Sequence, residues 1–206
     1  MKVKANNTDS ATKILLAASV EFSENGLAGA RVDKIADKAG LNKAMIYYHY
    51  GSKENLYRQV LGHHLSGLKD LLRRDISPDE DPEIIFAGFT KAYISMFDQI
   101  RDFVPLLLRE VSSGGPQLKQ VLANLGENSP ALILKRAIEK GQASGQFRNV
   151  DWRQTAVSFI GMNLFYLMFS PITNFLLDLE NEELFREKRA EAITDLFLNG
   201  LRKGES

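Results

Sequence analysis

Apolar residues recur along this chain at spacings of three and four, and apolar/polar alternation at strand length is rare, so the pattern predicts helices throughout. Ile14, Leu15, Ala18 and Phe22 share one face of a first helix, with Thr8, Asp9 and Ser10 as N-cap candidates and a stop near Asn25-Gly26. A short second helix covers about Val32 to Ala39, and a third, capped by Asn42, about Lys43 to His49. Ser52 caps a long fourth helix with the stripe Leu56, Val60, Leu61, Leu65, Leu68 and Leu72. The turn-rich acidic run Ser77-Pro78-Asp79-Glu80-Asp81-Pro82 then breaks the pattern and is the best boundary signal of its kind.

Beyond the break, Ile84, Ile85, Ala92, Tyr93, Met96 and Ile100 mark a fifth helix, and Phe103 to Val111 a sixth that stops at Ser112-Ser113-Gly114-Gly115. Segments starting at Pro116 and after Pro130 follow, the latter closing at Gly141 and Gly145. Asp151 caps a very apolar helix running to Phe169, where Pro171 interrupts, and a last helix spans about Asn181 to Gly200. The expected fold class is all-α.

The second and third helices, meeting at Ala39-Gly40-Leu41, have the layout of a helix-turn-helix. That motif needs a small residue where its helices cross and a residue tolerant of a left-handed backbone in the turn. Ala36 and Gly40 stand at the matching separation, with Ile35, Ala39, Leu41 and Ile46 as a small core. The third helix then presents Lys43, Ala44, Met45, Tyr47, Tyr48 and His49, with its N-terminus toward base edges. Lysine bonds guanine O6 or N7, and Ala44 or Met45 packs on a thymine methyl. Tyr47, Tyr48 and His49 reach phosphate oxygens, and Lys53 adds charge at the start of the fourth helix. Arg31 and Asn42 complete the candidate DNA-binding set, while Tyr50, with part of Tyr47, is expected in the core. His63 and His64 lack carboxylates at ligand spacing and are read as solvated or interfacial; no metal site and no cofactor is expected.

The 206 residues are 44% hydrophobic and 25% charged, the profile of an ordinary soluble globular chain. Cysteine is absent, which excludes disulfides, thiolate metal sites and cysteine nucleophiles. The N-terminus carries basic residues with no apolar stretch behind them, so a cytoplasmic protein is expected. Net charge is zero, yet residues 1–60 hold nine Lys or Arg against six acids, a modest basic excess where the motif lies.

The segment resembles the DNA-binding domain of the tetracycline-repressor (TetR) family. The resemblance is carried by Ala17-Ala18, Glu21-Phe22-Ser23-Glu24-Asn25-Gly26, Val32, Ile35-Ala36, Ala39-Gly40-Leu41-Asn42-Lys43, Ile46-Tyr47 and Ser52-Lys53-Glu54-Asn55-Leu56, in the family's order and spacing. It implies an all-helical dimer with a repressor-like role, and a C-terminal ligand domain whose occupation releases DNA. Arg31 stands where many members place a threonine, and Ala44-Met45 where Gly-Thr is commoner, so the operator is not inherited from relatives. The expected division is 1–54, a three-helix DNA-binding domain, and 55–206, a helical ligand-binding and dimerisation domain.

From Arg153 to Asp178 no charge intervenes, long enough for a membrane span, but Ser158, Asn163, Ser170, Pro171, Thr173 and Asn174 interrupt it. A helix facing both its own core and a second copy of the chain is the preferred reading. The last helix, with Leu184, Phe185, Ile193, Leu196, Phe197 and Leu201, would complete a four-helix dimer interface and set two recognition helices about 34–36 Å apart. Tyr93, Met96, Phe97, Phe103, Leu107, Met162, Phe165 and Phe169 suit an apolar effector pocket, with Arg109, Glu110 and Asn163 as polar anchors, although plain core packing is the alternative for each.

The expected function is a ligand-responsive, sequence-specific regulator that binds a double-stranded DNA operator as a homodimer and is released by a small apolar effector, with no membrane involved. An enzyme is disfavoured: the chain has no Gly-rich phosphate loop, Gly-x-Ser-x-Gly, HExxH or carboxylate–histidine cluster. A helical regulator controlled by a protein partner and, in a different class, a structural helical bundle are the alternatives.

Overall fold

The computed structural model describes residues 2–75, 77, 80–96 and 103–204. Ten α-helices occur among the described residues: α1 (Lys2–Gly29), α2 (Val32–Ala39), α3 (Lys43–Tyr50), α4 (Lys53–Asp75), α5 (Pro82–Ser95), α6 (Val104–Ser112), α7 (Pro116–Ala123), α8 (Pro130–Ala143), α9 (Trp152–Leu176) and α10 (Glu182–Leu201). They fall into two compact units, Met1–Ser66 with Gln99–Asn124, and Gly67–Asp98 with Leu125–Ser206. The division therefore lies inside α4, and α6 and α7 belong with the helix-turn-helix segment.

In the first unit, α1 starts at Lys2, so Thr8, Asp9 and Ser10 lie within the helix and do not cap it. Nothing between Lys2 and Ser10 forces a non-helical backbone, and the chain simply continues its turns. The helical path breaks at Gly26, where φ is 65° and ψ 179°. Arg109 Nη2 donates to the Glu24 carbonyl at 3.0 Å, supplying one of the donors that a helix end lacks. Gly40, with φ 65° and ψ 31°, ends α2 in the left-handed conformation that the turn requires. Ile35, Ala36 and Ile46 are buried with Ile14, Ala18 and Phe22 of α1 and Leu56, Tyr57 and Val60 of α4.

Two buried acids give this apolar core direction. Glu21, 4% exposed, accepts from Lys38 Nζ at 2.9 Å, from Asn25 Nδ2 at 3.1 Å and from the Arg31 amide at 3.3 Å. Burial pushes the Glu21 carboxyl up, but the Lys38 and Arg31 hydrogen bonds, with the charges of Lys38 and Lys34, outweigh it and hold it below its ordinary value. Glu110, on α6, accepts from the Tyr57 hydroxyl at 3.1 Å and from the amides of Gln117 and Leu118 at 2.6 and 2.9 Å. The carboxylate thus caps α7 and ties it to α4.

In the second unit, α5 packs against α8, α9 and α10. Phe86, Phe89, Phe159 and Phe197 meet at its centre, with Phe159 edge-on to Phe86 at 4.8 Å. Helix α9 is long and apolar enough to cross a membrane by length and composition. Its inward stripe is Thr155, Ala156, Phe159, Asn163, Tyr166, Leu167 and Ser170. Pro171 does not end it: the helix runs on to Leu176, held by the Tyr166 hydroxyl on Asn174 Oδ1 at 3.0 Å and the Leu177 amide on the Thr173 carbonyl at 3.0 Å. A proline inside a helix removes one donor, and these later bonds outweigh that loss. The tight segment after α8 seats the Phe147 ring directly on Gly141, where a Cβ would overlap the ring.

Two tests follow from this packing. Because Glu21 titrates below its ordinary value of 4.5 in the folded state, its contribution is complete above that pH and is lost as pH falls through the lower folded value. Glu21→Gln should cost about 2 kcal/mol at pH 7 and lose that acid-dependent step, read from urea midpoints of α2 amide signals at pH 7, 5 and 3.5. Gly141→Ala should cost about 2 kcal/mol through displacement of Phe147, read as a lowered thermal midpoint.

Candidate nucleic-acid interface

Helix α3 is eight residues long and buries only Ile46. Asn42 is spent at its start, where Oδ1 accepts the Met45 amide at 3.0 Å, and Gly51, with φ 73°, closes its end. With Ile46 anchored, Lys43, Ala44, Tyr47 and Tyr48 stand out. Tyr48 is 71% and Tyr47 45% exposed, Ala44 is exposed, and Met45 is half-buried. Tyr50 is half-buried and forms a bridge from α3 to α1, its hydroxyl donating to the Ala11 carbonyl at 2.8 Å. Burial pushes its phenol up.

Lys43 does not stand free: its Nζ pairs with Asp33 of α2 at 2.9 Å, both side chains half or more exposed. The hydrogen bond and then the mutual attraction raise the Lys43 ammonium and lower the Asp33 carboxyl. Such an exposed pair is readily exchanged for another acceptor. The sequence pattern does not mark Asp33, since only the facing of α2 and α3 brings it to Lys43. His49 is half-buried with its ring edge-on to Tyr48 at 5.1 Å, and its buried Nε2 has no partner among the described residues.

An open groove of about 420 Å³ gathers Arg31, Lys43, Tyr47 and Lys53, with Asp33 and Glu54 also on its walls. Lys53 Nζ donates to the Ala30 carbonyl at 3.2 Å, which holds it at this groove, and Ser52 Oγ caps α4 by accepting the Asn55 amide at 3.0 Å. Three cations and a phenol around an open trough beside a helix N-terminus offer donors to phosphate oxygens. Ala44, Met45 and Tyr48 lie on α3 outside that lining.

The residues expected to bind an effector divide between the units. Phe103, Leu107 and Glu110 belong to the first. There the Phe103 ring stacks on His64 at 4.7 Å, and His64 Nε2 meets Ser19 Oγ at 2.8 Å, so His64 is a packing residue between α1 and α4. Leu107 is half-buried, the Glu110 carboxylate is occupied by Tyr57 and α7, and Arg109 reaches Glu24. In the second unit Tyr93 and Met96 are buried and Met162 half-buried. Phe165 and Phe169 are exposed, about 200° round α9 in the case of Phe165 from the buried Asn163. Phe97 lies outside the described residues. Asn163 is 1% exposed; its Nδ2 donates to the Phe159 carbonyl at 2.9 Å, and its Oδ1 has no partner among the described residues.

Comparison with known proteins accounts for this arrangement. Residues 14–60 match the family model for bacterial regulatory proteins, tetR family, and residues 82–196 match the model for the tetracyclin repressor-like C-terminal domain. The chain is 32% identical to the HTH-type transcriptional repressor NicS of Pseudomonas putida over 98% of its length and 97% of that protein's. It is 28% identical to the HTH-type transcriptional regulator RutR of Escherichia coli K12 over 92% and 89% of the two chains. The solved structure of PfmR, a TetR family transcriptional regulator from Thermus thermophilus, superposes with a TM-score of 0.69 at 25% identity, covering 93% of this chain and 96% of that one. The chain belongs to the TetR family and is a DNA-binding transcriptional regulator.

Proposed function

We propose that this regulator is a homodimeric repressor that grips duplex DNA with α3 and lets go when a small apolar effector enters its second unit. The observation that carries the reading is α3 itself: one buried anchor, Ile46, beneath an exposed face next to the groove of Arg31, Lys43, Tyr47 and Lys53. Lys43, Ala44 and Met45 read base edges; Arg31, Tyr47, Tyr48, His49 and Lys53, with the Nδ2 of Asn42 whose Oδ1 caps α3, position the helix on the backbone. Residues 1–54 act as the DNA head, α4, α6 and α7 complete the first unit around it, and the second unit, within 55–206, carries effector response and self-association, in the cytoplasm. The full-length likeness to NicS, named a repressor, supports the sense of regulation.

A second copy is favoured by an apolar stripe on α9 that nothing among the described residues covers. Val157, Phe165, Phe169, Ile172 and Leu176 follow one another at helical spacing, all exposed, with Phe175 beside them at 83% and Leu196 on α10. Effector response is supported by Asn163, whose unanswered buried acceptor suits a ligand with a hydrogen-bond donor.

Lys43→Ala and Tyr48→Ala should each weaken binding to a duplex selected from genomic fragments by about tenfold or more while leaving the sedimentation coefficient of the dimer unchanged. Lys53→Ala should reduce the slope of log affinity against log salt by about 1. A protein whose variants bind as the parent does, or one that retains no duplex at physiological salt, would overturn the reading. Asn163→Leu, which removes the orphan acceptor, should leave the thermal midpoint equal or higher and DNA affinity unchanged, yet abolish release by whatever apolar effector a compound screen identifies. Unaltered release in that variant excludes Asn163 from the effector site.

A further inference from the structure

Among the described residues, the last helix holds a cation without a counter-ion. Arg189, half-buried on α10, gives Nη2 to the Met162 carbonyl at 3.0 Å, while its buried Nε has no partner among those residues. Its guanidinium carbon lies 5.1 Å from the Tyr166 ring centroid and 6.0 Å from that of Phe185. Those two rings are themselves in contact at 5.2 Å, and Tyr166 is fixed by its hydroxyl on Asn174. The rings form a shelf beside the guanidinium. Burial lowers the Arg189 pKa, and no carboxylate among the described residues offsets that loss of water. A desolvated cation on a fixed shelf, with no carboxylate paired to it among the described residues, is a feature that an anion would complete.

Arg189 lines an open cleft of about 520 Å³, with Leu184 and Phe185 as apolar wall, Lys188 beside it, and Asp178 and Glu180 on the α9–α10 turn. The two acids balance the two cations, so the cleft has no excess charge to draw a dianion. A single planar charge fits the guanidinium fork, and an apolar body fits the wall. We infer that this cleft binds a small monocarboxylate with an apolar or aromatic body, its carboxylate on Arg189 and its body on Phe185 and Leu184.

The test uses the full chain labelled with ¹⁵N-arginine and contains no DNA, so its outcome is separate from effector-driven release. Benzoate and octanoate are titrated against the arginine Nε–Hε signals, with benzamide, octanol and inorganic phosphate as comparison probes. At least one carboxylate should shift the signal missing from Arg189→Met, saturate by about 1 mM, and bind about tenfold or more tighter than its neutral analogue and phosphate. Arg189→Met should abolish the binding. Leu184→Trp, at an exposed wall position, should weaken it with the helical signal intact, which keeps the test valid if the arginine variant does not fold. Equal binding of acid and amide, or no carboxylate bound at 1 mM, overturns the inference. So does a wild type that ignores every probe while Arg189→Met loosens self-association, because Arg189 then answers a carboxylate of a second copy.

Discussion

The first unit depends on a carboxylate shut away from water on α1. Glu21 takes the Arg31 amide, at the entry to α2, and the Lys38 ammonium, at its far end, so a single acid grips both ends of one short helix. Apolar contacts among Phe22, Ile35 and Ile46 supply cohesion, but they tolerate sliding. A buried carboxylate does not, because any slip leaves it or its donors unanswered in a medium that penalises each of them. α2 carries α3 across Gly40, so the aim of α3 is inherited from Glu21.

A second acid repeats the solution elsewhere in the same unit. Glu110 sits where α7 presents its unsatisfied amides, and the Tyr57 hydroxyl joins it to α4. The pairing fills the helix end and brings the polar groups of three helices to one point. In the second unit, rings take over this role: Phe86, Phe89, Phe159 and Phe197 interlock without a buried ion pair among the described residues. The exceptions there are Asn163 and Arg189, each with an atom unanswered, and both lie where α9 meets its neighbours.

What the sequence discloses follows the range of each interaction. Caps act within three residues, so Asn42, Ser52, Asp151 and Asn181 announce their helices, and the left-handed glycines Gly26 and Gly40 announce their ends. The same local logic misleads at Thr8–Ser10 and at Pro171, where helices continue through residues able to stop them. The partnership of Glu21 with Lys38 spans 17 residues and that of Tyr57 with Glu110 spans 53, and no periodicity reports them. Within the candidate interface, residue type and the short third helix identify the outward face, but not the Asp33 that holds Lys43. On α9 apolar residues surround the axis on all sides, so the pattern does not separate the inward Phe159 from the outward Phe165.

Under the proposed reading of base edges by Lys43, its pairing with Asp33 bears on discrimination between duplexes. A lysine that must leave an aspartate to touch a base uncovers a negative charge beside a polyanion. In open water the exchange is nearly free, but against phosphates the bared Asp33 is repelled. Only a base edge with strong acceptors returns enough to offset that repulsion. In the proposed mode of DNA reading, the pair therefore penalises ill-matched sites and raises the contrast between right and wrong sequences without adding any grip.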